Sequence, residues 1–144
     1  MNNLFIDSDI LIDLLAKRPH YNEALNLLSL VAEGKAKAFT TPLAIANVDY
    51  IITKFGSKQK SIKAIRTLRK DISILTMNEK IVDEALESSF PDFEDSLQYF
   101  SALNQGIDFI ITRNKKDYSK GTIKVVSAGE YLDIHNADQH SNGL

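Results

Sequence analysis

The sequence predicts an α/β fold built on a parallel sheet, and three observations predict it. Short apolar runs of strand length alternate with stretches of helical periodicity along the chain. Most apolar runs end on polar residues that open the next helix, as strand–helix crossovers require. No Ser/Gly-rich linker and no internal repeat divides the 144 residues, a length that suits one domain.

The elements follow in order. Leu4-Phe5-Ile6 reads as a buried strand ending at Asp7, and Asp9 to Leu15 as a helix with Ile10, Leu11, Leu14 and Leu15 on one side. Tyr21 to Ala32 repeats Ala24, Leu25, Leu27, Leu28 and Val31 at helical spacing, with Gly34 at its C-cap. Ala36 to Thr40 is a strand, and Thr41-Pro42 opens a helix to about Lys54, Pro42 sitting where a first turn tolerates it. Ser57 caps the next helix, whose Ile62, Ile65 and Leu68 are expected inward. A strand at Ile72 to Leu75 and a helix over Met77 to Glu87 follow. Asp92 to Gln105 is a longer helix stopping near Gly106, and Phe109-Ile110-Ile111 is the clearest strand. Thr122 to Val126 is a last strand and Ser127 to Leu132 a last helix. Residues 1–133 are expected to form the domain and the polar 134–144 a fraying tail.

Composition narrows the chemistry. Without a cysteine there is no disulfide scaffold, thiolate metal site or cysteine nucleophile. The three His, His20, His135 and His140, do not pair at a ligand spacing. The 19 Asp and Glu against 17 Lys and Arg direct attention to oxygen ligands and hard metals. A net charge of −2 provides no global pull toward nucleic acid, so such binding needs a local basic patch. The opening MNNLFIDSDILIDLLAKR lacks the basic region and cleavage site of a signal peptide. No apolar run approaches the roughly 20 residues of a membrane span. The expectation is a cytoplasmic protein without a membrane partner.

In a parallel α/β sheet, ligands sit beyond the carboxyl ends of the strands, where strand order reverses. Asp7-Ser8-Asp9 follows the first strand there, and Thr112-Arg113-Asn114 with Asp117 follows the fourth. Asp92 and Asp95, spaced i, i+3, share one face at the start of the helix leading into that fourth strand. Singly, each acid reads as well or better as an N-cap, a first-turn acid or a loop residue. Together, carboxylates from three segments at one sheet edge repel one another unless a cation neutralises them. Mg²⁺ or Mn²⁺ binds through a few carboxylates with retained waters, and such ions activate water and stabilise phosphoryl charge.

Four blocks carry a resemblance to a known family. They are Leu4 to Asp13, Thr41 to Asn47, Asp92 to Ala102 and Asp108 to Tyr118. In order and spacing they resemble the PIN domain, the nuclease fold of VapC-type toxins, over nearly the whole chain. The resemblance implies a central sheet of five parallel strands between two helical layers. It implies an acidic pocket that holds Mg²⁺ or Mn²⁺ and cleaves RNA, with an antitoxin protein and a homodimer as common partners. Carried over by position, the catalytic acids are Asp7 and Asp95, with Asp92 one turn earlier and Asp117 joining them; Asp7, Asp95 and Asp92 are the expected metal ligands. Asp9, Asn47, Thr112 and Asn114 would support the pocket. Asn47 and Asn114 stand where the family commonly has acids. Asp49 is a poor substitute for Asn47, because two helical residues lie roughly 200° apart.

Arg113, Lys115 and Lys116 adjoin the fourth block and are the expected RNA-binding residues, with Lys120 nearby. Lys63, Arg66 and Lys70 form a second stripe at i, i+3, i+7, joined by Lys58, Lys60 and Arg69, which reads first as a solvated helix face. Tyr50, Tyr99 and Phe100 read as core or interface. Two alternatives stand beside a ribonuclease: a PIN-like domain that binds RNA or protein without cutting, and, more distantly, a haloacid-dehalogenase-type phosphatase. The latter shares Asp7-Ser8-Asp9 after a strand, but Ile10 to Leu15 continues as helix where that class needs a Gly/Thr turn.

Overall fold

The computed structural model describes residues 1–142 and contains one parallel sheet with strand order β3-β2-β1-β4-β5. Its elements are β1 (Asn3–Ile6), α1 (Ser8–Leu15), α2 (Tyr21–Ala32), β2 (Lys37–Thr40), α3 (Pro42–Phe55), α4 (Lys58–Leu68) and β3 (Ile72–Ile74). Then come α5 (Glu79–Leu86), α6 (Phe93–Asn104), β4 (Phe109–Ile111), a 3₁₀ turn at Lys115–Tyr118, β5 (Lys124–Val126) and α7 (Ala128–Asn142).

Side-chain alternation explains the three layers. In β1, Leu4 and Ile6 enter one core while Phe5 enters the other, as a two-residue strand period dictates. β4 divides in the same way, with Ile111 and Phe109 on the first face and Ile110 on the second. The first core is covered by α1 and α2 through Ile10, Leu11 and Leu27, by α3 and α4 through Val48 and Leu68, and by α7 through Tyr131. The second is covered by α6 through Tyr99 and Ala102, with Tyr118 beneath. Both faces of β1 and β4 are dry, which is why these strands read as unbroken apolar runs. Each large apolar side chain buried here contributes about 1.5–3 kcal/mol.

Local signals set the element ends. Thr41 caps α3 by accepting from Ala44 N at 3.0 Å, and Ser57 caps α4 by accepting from Lys60 N at 3.1 Å. Gly34 takes φ 77° after α2, where Gly34 N and Lys35 N bond back to Val31 and Leu30 carbonyls. The helix expected from Met77 starts at Glu79, because Asn78 accepts from Ile81 N and acts as the cap. Ile62, expected inward, is 40% exposed. α4 buries Leu68 and packs Ile65 against the core as expected, and it also buries Ser61, whose Oγ donates to Asp49 of α3 at 2.6 Å.

The last helix is longer than expected. Ser127 Oγ accepts from Glu130 N while Glu130 accepts from Ser127 N, a reciprocal capping box. With no Gly or Pro from Glu130 to Asn142, nothing stops the helix, so the segment expected to fray from residue 134 is helical to Asn142. Gly143 and Leu144 of that expected tail lie outside the described residues. No helix among the described residues is long and apolar enough to cross a membrane.

Candidate active site

Strand order reverses between β1 and β4. Their register pairs Phe5 with Ile110 and Ile6 with Ile111, so both strands end level. Asp7 N donates to Ile111 O at 3.0 Å, which places Asp7 beside Thr112 at the carboxyl edge of the sheet. This is where an open α/β sheet presents a crevice.

Asp7 is buried, and three donors hold it. Oδ1 accepts from Ser8 N at 2.7 Å, so Asp7 does cap α1. Oδ2 accepts from Thr112 Oγ1 at 3.0 Å and from Tyr118 OH at 3.1 Å. Burial raises the Asp7 carboxyl above the usual range, and these donors partly oppose it. Behind Tyr118 the bonding continues inward. Gln98 Nε2 donates to Tyr118 OH at 3.1 Å, and Thr41 Oγ1 donates to Gln98 Oε1 at 2.7 Å. A buried relay thus runs from the α3 cap through α6 and the 3₁₀ turn to Asp7, and no buried side-chain polar atom among the described residues lacks a partner.

Asp9 lies one step along α1. Its Oδ2 accepts from Arg113 N at 2.8 Å and lies 3.3 Å from Thr112 Oγ1, while its Oδ1 accepts from Ile10 N. Burial, with the Asp7 charge second, lifts its carboxyl to about 6. Arg113 points elsewhere: its Nε and Nη2 grip Asp13 at 2.8 and 3.0 Å, and Asp13 is fully buried. That guanidinium is committed to Asp13, with about a third of its side chain left exposed.

The other acids meet this pair through their fields. Asp92 caps α6 by accepting from Asp95 N at 3.0 Å, which leaves Asp95 in the first turn. Burial pushes the Asp95 carboxyl up to about 7, followed by the charges of Asp92, Asp117, Asp7 and Glu94. Asp7, Asp92, Asp95 and Asp117 therefore share one electrostatic neighbourhood, and Glu94 belongs to it unforeseen. Tyr118 is held protonated well above its ordinary range by burial and the Asp7 charge.

The remaining expected residues lie less centrally. Asn114 is exposed; its backbone N donates to Thr112 Oγ1 at 3.1 Å and its carbonyl accepts from Asp117 N. Asn47 is exposed on α3, and no hydrogen bond joins it to the acids. Lys115 Nζ pairs with Glu130 at 2.9 Å, holding that carboxylate at about 2. Lys116 is exposed. The sequence reading missed Thr41, Gln98, Tyr118 and Asp13. Gln98 stands three residues past Asp95, on the same helix face, and that spacing was the available signal.

Carboxylates without thiolate or imidazole suit a hard divalent ion. Among the described residues no three His, Asp or Glu side chains form a ready cage for a metal. A divalent ion at this edge would take only a few carboxylates directly and keep most of its water.

The comparisons with known proteins agree with this architecture. A family model described as PIN domain matches residues 3–116. Ribonuclease VapC1 of Aquifex aeolicus (strain VF5) is 24% identical over 139 residues, spanning 92% of this chain and 95% of that protein. Among solved structures, Mycobacterium tuberculosis VapC20, described as a sarcin-ricin loop cleaving toxin, superposes with a TM-score of 0.67 at 12% identity, covering 85% of this chain and 98% of its own. A toxin–antitoxin complex from Klebsiella pneumoniae gives 0.66 at 22% identity, with 87% and 97% covered. PAE2754 of Pyrobaculum aerophilum gives 0.64 at 15%, with 94% and 96% covered. At these identities the structural neighbours speak to fold.

Proposed function

This chain belongs to the PIN-domain family, and from that premise we propose that it is a metal-dependent endoribonuclease, the toxin-like member of a toxin–antitoxin pair. The observation that carries the reading is the gathering of Asp7, Asp92, Asp95 and Asp117 at the β1/β4 edge, where burial first and the charges of the other acids second lift Asp95 to about 7. Acids crowded and half-buried in this way are the pattern of a functional site, and a cation there would relieve their repulsion. Its kinship with Ribonuclease VapC1 supports RNA as substrate.

Asp7 and Asp95 would hold Mg²⁺ or Mn²⁺ directly, with Asp92 and Asp117 reaching its waters. When bound, such an ion neutralises phosphate charge and lowers the pKa of a water. The chain's own residues do the positioning. Thr112 and Tyr118 fix the Asp7 carboxylate in one orientation. Asp9 holds the turn after β4 through Arg113 N, so the loop carrying Asn114 and Asp117 stays over the site. The exposed Lys116 is free to meet an RNA phosphate at the rim.

Purified protein should cleave mixed RNA with Mg²⁺ or Mn²⁺ and not in chelator. Asp7→Ala and Asp95→Ala should each abolish cleavage while melting cooperatively. No cleavage at any Mn²⁺ concentration would sink the nuclease reading and leave a PIN-like domain that binds without cutting. An antitoxin partner follows from the same kinship; a small protein that co-purifies and suppresses cleavage would identify it.

A further inference from the structure

Between Tyr50 and Lys70 the chain carries seven Lys and Arg and no acid, leaving ten cations against nineteen acids elsewhere. The structure concentrates this charge on α4 and the turn that follows it. Lys58, Lys63, Arg66 and Lys70 line one open hollow of about 770 Å³ together with Ile62 and Thr67. No residue of the acidic site belongs to that hollow. Among the described residues, the Lys and Arg ion pairs engage Lys35, Lys80, Arg113 and Lys115, and none reaches this face. Arg69 turns away, donating to Ile72 O at 2.7 Å. Lys63 and Arg66 at i, i+3 on the helix, with Lys70 in the turn after it, crowd like charges, so the face is costly without a counter-charge.

We propose that this face of α4 is a docking track for the phosphodiester backbone of single-stranded RNA, separate from the acidic edge of the sheet. It rests on the ribonuclease reading for the choice of RNA. Charge complementarity argues the occupant. A rise of 1.5 Å per residue sets Lys58 and Arg66 roughly 12 Å apart along the axis, with Lys63 between them and Lys70 in the turn just beyond the helix, a track for successive phosphates. Side chains reaching phosphate from a solvated helix face bind without regard to sequence, through counterion release. A lipid surface fits poorly, because Ile62 is the one large exposed apolar side chain in the hollow and offers no insertion face.

The test measures binding without cleavage. A labelled single-stranded RNA oligonucleotide is titrated in chelator with the wild-type chain and with K63E/R66E/K70E, whose three positions are exposed. The triple variant should bind about tenfold or more weakly, and its log Kd–log salt slope should fall by about 2, the value for three phosphate contacts to a single strand. Its melting temperature and its cleavage of a dinucleotide too short to reach α4 should stay unchanged. The lysine- and arginine-neutralising variant K63Q/R66Q/K70Q should fall between. Unchanged affinity and slope would overturn the docking track, whether or not the protein cuts RNA. Equal, α4-dependent binding to anionic vesicles or to polyglutamate would overturn RNA as the occupant. Loss of all cleavage with α4-dependent RNA binding intact would overturn the nuclease reading and uphold this one.

Discussion

Arg113 and Asp13 lie a hundred residues apart in sequence and form a two-pronged ion pair, Nε to Oδ2 at 2.8 Å and Nη2 to Oδ1 at 3.0 Å. It ties α1 to the turn after β4, the two segments that carry Asp7 and Thr112. Asp13 is 1% exposed at its side chain and Arg113 is 34% exposed, so the acid depends on its partner. Arg113→Ala should therefore cost about 3 kcal/mol in chemical denaturation, because a buried carboxylate is left unpaired. Arg113→Ala with Asp13→Leu should recover most of it. A cost near zero for the single variant would show that the pair does not hold the turn.

Asp95 gives a pH dependence with a definite sign. Its folded value, about 7, lies above its ordinary 3.8, so the folded state holds the proton more tightly. In chelator, stability from this group is full below pH 4 and declines as pH rises toward 7. Asp9, at about 6, adds to the same window. Thermal melts from pH 4 to 8 should slope downward, and Asp95→Asn should flatten the slope without removing it. Mn²⁺ at pH 8 should raise the melting temperature of the wild type more than that of Asp95→Asn. An unchanged slope in the variant would remove Asp95 from the coupled set.

Tyr118→Phe keeps the ring and deletes the hydroxyl that donates to Asp7 and accepts from Gln98. It leaves Gln98 Nε2 without a buried partner, a cost of about 1–3 kcal/mol. If the relay positions Asp7, RNA cleavage should fall about tenfold at saturating substrate, about 1.4 kcal/mol of barrier. Gln98→Met should reduce cleavage in the same direction through the same chain. Loss of stability with full cleavage would confine the relay to packing.

Asn114 sits between Thr112 and Asp117 on the exposed rim. Asn114→Asp adds one negative charge to the set around Asp95. It should tighten Mn²⁺ binding by about threefold in calorimetry, the scale of an exposed charge pair. It should also lower the melting temperature in chelator. Asn47→Asp, on a position not bonded to the acids, should change both less. The reverse ranking would place Asn47 nearer the ion than Asn114.

The parallel sheet was legible because β1 and β4 are buried on both faces, and such strands leave unbroken apolar runs in the sequence. Asp7, Asp92 and Asp95 were legible because strand ends and helix starts are the sites where acids also cap, and Asp7 and Asp92 do cap here. The relay through Thr41, Gln98 and Tyr118 was not, since three neutral side chains 20 and 57 residues apart acquire their meaning from tertiary contact. Arg113 misled for a related reason. A guanidinium near a phosphate-handling edge and one gripping a buried Asp look alike until the fold places Asp13. The extent of α7 was hidden by its polar composition, although nothing in it breaks a helix.

The donors around Asp7 also fix what it has left to offer. A carboxylate oxygen accepts along about two lone-pair directions. On Oδ2 both are taken, by Thr112 and Tyr118, and on Oδ1 one is taken by Ser8 N. A single vacancy remains on Oδ1, so Asp7 can meet a newcomer one-handed, and a two-handed grip would require one of its neighbours to let go.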